Sequence, residues 1–133
     1  MDLSRTTRTV RAGIENDEAH GSVVPPIYLS TNYAFMDVST KRAFDYSRSG
    51  NPTRAILADA IVELEGGSGG VITASGMGAI AASVHAFLPA GSTLVAPHDC
   101  YGGTWRLFEA LAAKGQYKLV LLDLTSTGAS ERV

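Results

Sequence analysis

The chain has 133 residues, 45% of them hydrophobic and 18% charged, with a net charge of −2. This composition is that of a globular protein with a core; the small net charge gives no cationic surface for nucleic acid, and Cys100 as the single cysteine excludes an internal disulfide framework. Since no apolar stretch reaches the roughly 18–20 residues that span a bilayer, and residues 1–13 lack the apolar segment of a secretory signal, we expect a cytoplasmic protein without membrane contacts.

Residues 1–52 carry few periodic signals and are predicted to form an extended arm. Pro25-Pro26 and Thr31-Asn32-Tyr33 are typical of extended or irregular chain, because a proline disfavours helical conformation in the residue before it. An irregular stretch of about 50 residues is uncommon inside a compact domain and is usually functional. We therefore predict that this arm contacts a partner.

Residues 53–133 alternate helical and strand patterns. Leu57, Ile61 and Leu64 recur at helical spacing between Pro52 and a Gly66-Gly67 stop. The elements that follow are a strand at 70–74, a turn at 75–78, a helix at 79–87, a strand at 92–96, a loop at 97–103, a helix through Trp105 and Phe108, and a strand at 118–124. Short apolar strands that alternate with helices predict an α/β domain with an incomplete, mainly parallel sheet.

The turn Ser75-Gly76-Met77-Gly78 is the strongest candidate for a binding site. A strand, a glycine-rich turn and a helix in this order place several backbone N–H groups at a positively polarised helix start, where an anion can bind. The alternative is a tight turn that uses glycine only for its backbone angles. The segment lacks the Gly-Lys-Ser/Thr ending of a P-loop and the GxGxxG spacing of a dinucleotide site.

Tyr46 and Arg48 form a second candidate site. On extended chain, residues two apart point to the same side, so the phenol and the guanidinium can donate together to a phosphate. The alternative is a solvated turn closed by Asn51-Pro52.

Tyr101 and Arg106 form a third candidate site. The ring of Tyr101, placed before two glycines, could lie on a planar ligand, and Arg106 could bind a carboxylate. The alternative is a glycine-rich helix entry with Trp105 and Phe108 in the core. The three histidines, His20, His85 and His98, lack metal-ligand spacing, so we expect no metal site.

Several ordered motifs together resemble the Cys/Met-metabolism family of pyridoxal-phosphate (PLP) enzymes. They are Val24-Pro25-Pro26-Ile27, Tyr46-Ser47-Arg48-Ser49-Gly50-Asn51-Pro52-Thr53-Arg54, Leu64-Glu65-Gly66-Gly67, Ala74-Ser75-Gly76-Met77 and Tyr101-Gly102-Gly103-Thr104. The resemblance covers residues 6–124, fades from Thr125, and is strongest to the bacterial cystathionine γ-synthase branch around residues 96–103. It implies the N-terminal part of an aspartate aminotransferase-like, fold type I transferase.

The resemblance also implies roles for individual residues. The N–H groups of Gly76 and Met77 would hold the PLP phosphate, and Tyr101 would stack on the cofactor ring and take part in proton transfer. Tyr46 and Arg48 would reach the phosphate of a neighbouring subunit in a homo-oligomer, a dimer of dimers. The remaining implied residues are substrate contacts, namely Arg106 and Asp45.

The function implied by the resemblance is γ-replacement on an O-acylhomoserine by cysteine, in transsulfuration and methionine biosynthesis. Alternatives are a γ-lyase, an O-acylhomoserine sulfhydrylase, and a non-enzymatic PLP-binding partial domain or gene remnant. The family's cofactor-binding lysine follows a Ser-x-Thr context that is not found at any lysine here, namely Lys41, Lys114 and Lys118. We therefore expect that the chain is truncated and gives no turnover by itself.

Overall fold

The computed structural model describes residues 3–14 and 17–125, which form four helices and one two-stranded sheet. The elements are α1 (Arg5–Arg11), α2 (Pro52–Glu65), α3 (Gly76–Phe87), β1 (Thr93–Pro97), α4 (Gly102–Ala113) and β2 (Lys118–Leu122). They belong to two compact units, Met1–Ile72 and Thr73–Val133. The predicted α/β class is confirmed, whereas the boundary between units lies about one helix later than the predicted end of the arm.

The first unit contains a helix that the sequence did not predict. Ser4 caps α1 by accepting the Thr7 N–H at 3.2 Å. The helix lies beside α2, where Arg5 Nη2 is 2.9 Å from Glu65 Oε1. Because both charged groups are exposed, this ion pair contributes at most about 1 kcal/mol. The first part of the arm is therefore helical, in contrast to the prediction of extended chain.

Helix α2 begins and ends where the sequence predicts. The Asn51 side chain accepts the Arg54 N–H at 3.2 Å, and Pro52 occupies the first turn, in which a missing N–H costs nothing. At the other end Gly66 adopts a left-handed conformation, with φ 67°, that glycine enters without steric cost. Capping residues thus fix both ends of this helix locally.

The rest of the arm is irregular, as predicted. An isolated antiparallel bridge joins Asn32 to Tyr46, and the Tyr33 N–H donates to the Asp45 carbonyl at 2.9 Å. Apolar side chains of this segment are exposed, Leu29 at 89% and Ile27 at 76%. The segment is therefore ordered by backbone hydrogen bonds and capping groups rather than by burial of its own side chains.

The second unit is built on a parallel pair of strands. β1 and β2 pair from Thr93 with Lys118 to Pro97 with Leu122, and α4 connects them. A parallel pair needs such a crossover because the chain must return to the end of the sheet at which the first strand began before it forms the second strand. The core of this unit is a cluster of buried side chains: Val84, Ala96, Phe108, Leu111 and Tyr117.

Two sequence predictions about this region are wrong. Residues 70–74 form no strand, and Gly70 instead packs against α2, where an added Cβ would lie 2.8 Å from Val62 Cγ2. A strand requires a hydrogen-bonding neighbour, and no described residue pairs with this segment. Trp105, predicted to be core, is 38% exposed, whereas Phe108 on the same helix is buried as expected.

Candidate functional site

The start of α3 presents free backbone donors. The helix begins at Gly76, three residues earlier than predicted, because the Ser75 hydroxyl accepts the Gly78 N–H at 3.0 Å. The N–H groups of Gly76 and Met77 have no acceptor among the described residues. An added Cβ at Gly76 would meet no heavy atom within 4 Å, so the space around it is open. This helix start can therefore accept an anion.

The start of α4 lies beside the start of α3. The Thr104 hydroxyl, which is buried, donates to Met77 Sδ at 3.7 Å. Tyr101 precedes the helix and is 73% exposed. Its ring and the Met77 sulfur both lie against Gly103, where an added Cβ would be 2.5 Å from Tyr101 Cε1 and 3.4 Å from Met77 Sδ. The structure thus brings together the predicted residues Met77 and Tyr101.

The carboxyl ends of β1 and β2 carry two polar residues that the sequence reasoning did not assign to a site. The His98 N–H donates to the Leu122 carbonyl at 2.9 Å, and Asp123 directly follows β2. Hydrogen bonds from Thr125, and then the nearby charge of His98, lower the pKa of Asp123. Their position was predictable, because ligands of parallel sheets bind at the carboxyl ends of the strands.

Tyr46 and Arg48 lie together, but for a different reason from the one predicted. Residues 47–49 form a turn rather than extended chain, and this turn places the Arg48 guanidinium carbon 4.8 Å from the centroid of the Tyr46 ring. A cation above an aromatic ring is attracted by about 0.5–1 kcal/mol at an exposed site. The two side chains are therefore close because of a turn and not because of extended chain, and their joint donation to a phosphate stays a prediction.

Of the side chains at the start of α2, Arg54 bonds this turn and Asn51 bonds an earlier part of the arm. Half-buried Arg54 donates from Nη2 to the carbonyls of Ser47 at 3.0 Å and Arg48 at 3.4 Å. Asn51, besides capping the helix, donates from Nδ2 to the Tyr28 carbonyl at 3.0 Å. In the sequence, Arg54 stands out only as part of a motif, and Asn51 only in that motif and as the residue that closes a turn with Pro52. The signal available for Arg54 was its position five to seven residues after the turn at 47–49.

Asp45 lies at the same turn and is ion-paired within its own unit. Lys41 Nζ lies 2.6 Å from Asp45 Oδ2, and the Ser49 hydroxyl donates to Oδ1 at 3.1 Å. The hydrogen bond from Lys41 and then that from Ser49 lower the pKa of Asp45. The carboxylate is thus engaged locally, and its predicted contact with a substrate stays a prediction.

The lowered pKa of Asp45 gives a pH-dependent expectation. Since the folded state favours the carboxylate, its stabilising contribution is present above the ordinary aspartate pKa of about 3.9 and is lost as pH falls through the lower folded-state value. Lys41→Met is expected to raise the Asp45 pKa toward its ordinary value, as measured by the side-chain carboxyl ¹³C shift against pH. An unchanged midpoint would contradict the assigned cause, and Arg42→Met is the matched control.

Arg106 lies on the exposed face of α4. It lines an open groove of about 1140 Å³ together with Glu109 and residues of β2, including Lys118 and Leu119. Neither Tyr101 nor Met77 lines this groove. The structure therefore does not bring Arg106 into the contacts that join Tyr101 to Met77, and its role toward a substrate stays a prediction.

The part of the chain that the structure describes contains neither a metal-binding cluster nor a helix that could span a membrane. Within residues 3–14 and 17–125, three or more metal-binding side chains do not come together anywhere. Across the same ranges, each helix is too short or too polar to cross a membrane. The free donors at α3 and the ring of Tyr101 remain the arrangement best suited to a ligand.

Comparisons with known proteins bear on these residues. The family model for Cys/Met metabolism PLP-dependent enzymes matches residues 6–133, so the expectation that the resemblance ends near residue 124 is wrong. Cystathionine γ-synthase of Escherichia coli (strain K12) is 50% identical over 123 residues, which are 92% of this chain and 32% of that protein. The chain thus spans about one third of the length of this relative.

Solved structures match nearly the whole of this chain and about one third of their own length. Cystathionine γ-synthase from Xanthomonas oryzae pv. oryzae, in complex with aminoacrylate and cysteine, has a TM-score of 0.95 and 53% identity over 99% of this chain and 34% of its own. Cystathionine γ-lyase from Lactobacillus plantarum, complexed with L-serine, has a TM-score of 0.85 and 31% identity over 98% of this chain and 34% of its own. The chain belongs to the Cys/Met metabolism PLP-dependent enzyme family.

Proposed function

We propose that this chain supplies the cofactor-phosphate and ring-stacking part of a PLP-dependent cystathionine γ-synthase. The observation that carries the proposal is the pair of free N–H groups at Gly76 and Met77, beside the exposed ring of Tyr101. The parent reaction is γ-replacement, in which the cysteine sulfur bonds to the γ-carbon of an O-acylhomoserine and the acyloxy group leaves as a carboxylate. The matched family and the γ-synthase relatives support this choice.

The residues present fit pyridoxal phosphate. A phosphate group is an anion that needs several donors, and the start of α3 offers two N–H groups in open space at the positive end of a helix. A pyridine ring needs a flat apolar partner, and Tyr101 offers an accessible ring next to that helix start. When bound, the cofactor would supply electron withdrawal that stabilises carbanions of the substrate.

The remaining predicted residues complete the proposal. Tyr101 would also hold or move a proton at its phenol oxygen, and Arg106 would bind a substrate carboxylate. Tyr46 and exposed Arg48 would donate to the cofactor phosphate of a neighbouring subunit, with Asp45 close to the substrate. We propose on the same basis a homo-oligomer in the cytoplasm.

A γ-elimination reaction is the second candidate. The similarity to the Lactobacillus plantarum γ-lyase favours it, although its 31% identity is lower than the 53% of the Xanthomonas γ-synthase. Both reactions need the same cofactor contacts, because both begin with loss of a proton from the substrate amino acid. The cofactor site is therefore the part of the proposal that this chain can test.

Gly76→Pro tests the phosphate donors with little disturbance of the helix. Proline is tolerated at the first helical position, and Ser75, at φ −159° and ψ 158°, already has the extended conformation that precedes proline. The substitution removes one N–H that the structure leaves free. We expect it to weaken binding of 4′-deoxypyridoxine 5′-phosphate about tenfold, because a hydrogen bond to a charged group is lost.

The matched control is Gly76→Ala, which keeps the N–H and meets open space. Binding of 4′-deoxypyridoxine 5′-phosphate is followed by Trp105 fluorescence, with inorganic phosphate as competitor. 4′-Deoxypyridoxine 5′-phosphate has no aldehyde, so it does not react with surface lysines. The proposal requires saturable binding by the unchanged chain and by the alanine variant. Absence of binding, or equal binding by the proline and alanine variants, would contradict it.

A further inference from the structure

Two adjacent glycines at the start of α4 have different surroundings. Gly102 and Gly103 are the first two helical residues, and neither has a positive φ. An added Cβ at Gly102 would meet nothing within 4 Å, whereas at Gly103 it would lie 2.5 Å from Tyr101 Cε1 and 3.1 Å from Cδ1. The absence of a side chain at position 103, unlike at position 102, therefore leaves room that the Tyr101 ring takes.

A buried hydroxyl fixes the other side of this space. Thr104, 7% exposed, donates to Met77 Sδ at 3.7 Å, and that sulfur would lie 3.4 Å from an added Cβ at Gly103. The polarisable thioether of methionine packs favourably near aromatic rings. The space beside Gly103 is thus bordered by the Tyr101 ring and by a sulfur atom that the Thr104 hydroxyl contacts.

The Tyr101 ring packs on Gly103 without the help of a polar contact. The Tyr101 side chain makes no capping hydrogen bond, and its phenol has no hydrogen-bond partner among the described residues. At 73% exposure the ring is free to rotate away if this contact is removed. The orientation therefore depends on a missing side chain rather than on a polar partner.

We propose that Gly103 is a positioning residue for Tyr101. Its lack of a side chain lets the ring lie against the first turn of α4, beside Met77 and the start of α3. This inference rests on the proposed function, in which Tyr101 stacks on the cofactor ring. A side chain at position 103 moves the Tyr101 ring out of this position and leaves the fold intact.

Gly103→Ala and Gly102→Ala form a matched pair. Each replaces a first-turn glycine by alanine, so each gains up to about 1 kcal/mol of helix propensity. Only the first introduces a Cβ that meets Tyr101. We expect nuclear Overhauser contacts from the Tyr101 ring to Met77 and to the α-proton of residue 103 in the unchanged chain and in Gly102→Ala, and their loss in Gly103→Ala. Contacts retained in Gly103→Ala, or lost equally in both variants, would overturn the proposal.

If Gly103→Ala unfolds the chain, the inference is tested by making the same substitution in a variant that already carries Tyr101→Ala. Without the ring, the alanine at 103 has no aromatic neighbour, so Gly103→Ala is expected to be as well tolerated as Gly102→Ala. An equal loss of folding with and without the ring would contradict the inference. The change in the free energy of unfolding caused by Gly103→Ala differs between chains with and without the Tyr101 ring, and this difference is the coupling energy between positions 101 and 103.

Ligand binding separates this inference from the proposed function. Gly103→Ala is expected to weaken binding of 4′-deoxypyridoxine 5′-phosphate about fivefold, because the stacking partner is displaced. A displaced ring with unchanged affinity would overturn the positioning role. If the unchanged chain fails to bind this ligand, the proposed function is wrong, while the ring contacts still decide whether Gly103 positions Tyr101.

Discussion

Phe108→Ala is expected to lower the free energy of unfolding by about 3–5 kcal/mol, the largest stability effect of any single substitution considered for the second unit. Phe108 is 8% exposed and belongs to the same buried cluster as Val84, Ala96 and Leu111. Its backbone carbonyl accepts the Tyr117 hydroxyl at 3.2 Å, and alanine keeps that carbonyl. The cost therefore measures the lost ring and the cavity it leaves.

Trp105→Ala is the matched control, since it removes a large aromatic side chain one turn earlier on the same helix. At 38% exposure, Trp105 is only partly withdrawn from water, so we expect a cost below about 2 kcal/mol. Both variants are measured by urea unfolding followed by far-ultraviolet circular dichroism, which does not depend on the tryptophan. Equal costs would contradict the assignment of Phe108, and not Trp105, to the core.

Arg54→Met is expected to release the turn that carries Tyr46 and Arg48, at a cost of about 2 kcal/mol. The substitution keeps the aliphatic length of the side chain and removes the guanidinium that bonds the carbonyls of Ser47 and Arg48. These carbonyls then lose a charged donor at the start of α2. We expect the Arg48 guanidinium to leave the Tyr46 ring, from which it now lies 4.8 Å.

The Tyr46 ring current reports this change directly. Side-chain protons of Arg48 above the ring are expected upfield in the unchanged chain, and at ordinary positions in Arg54→Met. Arg42→Met is the matched control, because Arg42 is exposed and has no hydrogen bond or ion pair among the described residues. The same upfield shift in both variants, with equal stability, would show that Arg54 does not hold the turn.

Local capping chemistry made several elements predictable. The bounds of α2 follow from Asn51, Pro52 and Gly66, because a side-chain acceptor, a fixed φ and a left-handed glycine act within one or two residues of the helix ends. At the start of α3 the Ser75 cap lies in the predicted anion-binding turn, although the helix begins at Gly76, three residues before the predicted start. The order of the motifs along the chain also identified the family, which the comparisons confirm.

Contacts between distant residues made other elements unpredictable. The apolar run at 70–74 predicts a strand, yet a strand exists only where another segment pairs with it, and here Gly70 packs on α2 instead. The exposure of Trp105 likewise depends on which side of α4 faces the sheet, and both Trp105 and Phe108 are apolar enough to be buried.

The sequence by itself determined the α/β class, both ends of α2, the family and the identity of the candidate cofactor residues, because propensities, caps and motifs are properties of neighbouring residues. Only the tertiary structure decided how those residues are held. The turn that Arg54 bonds places Arg48 over Tyr46, and the space at Gly103 is occupied by the ring of Tyr101 beside the sulfur of Met77. These arrangements depend on packing and on hydrogen bonds between residues that only the folded chain brings together.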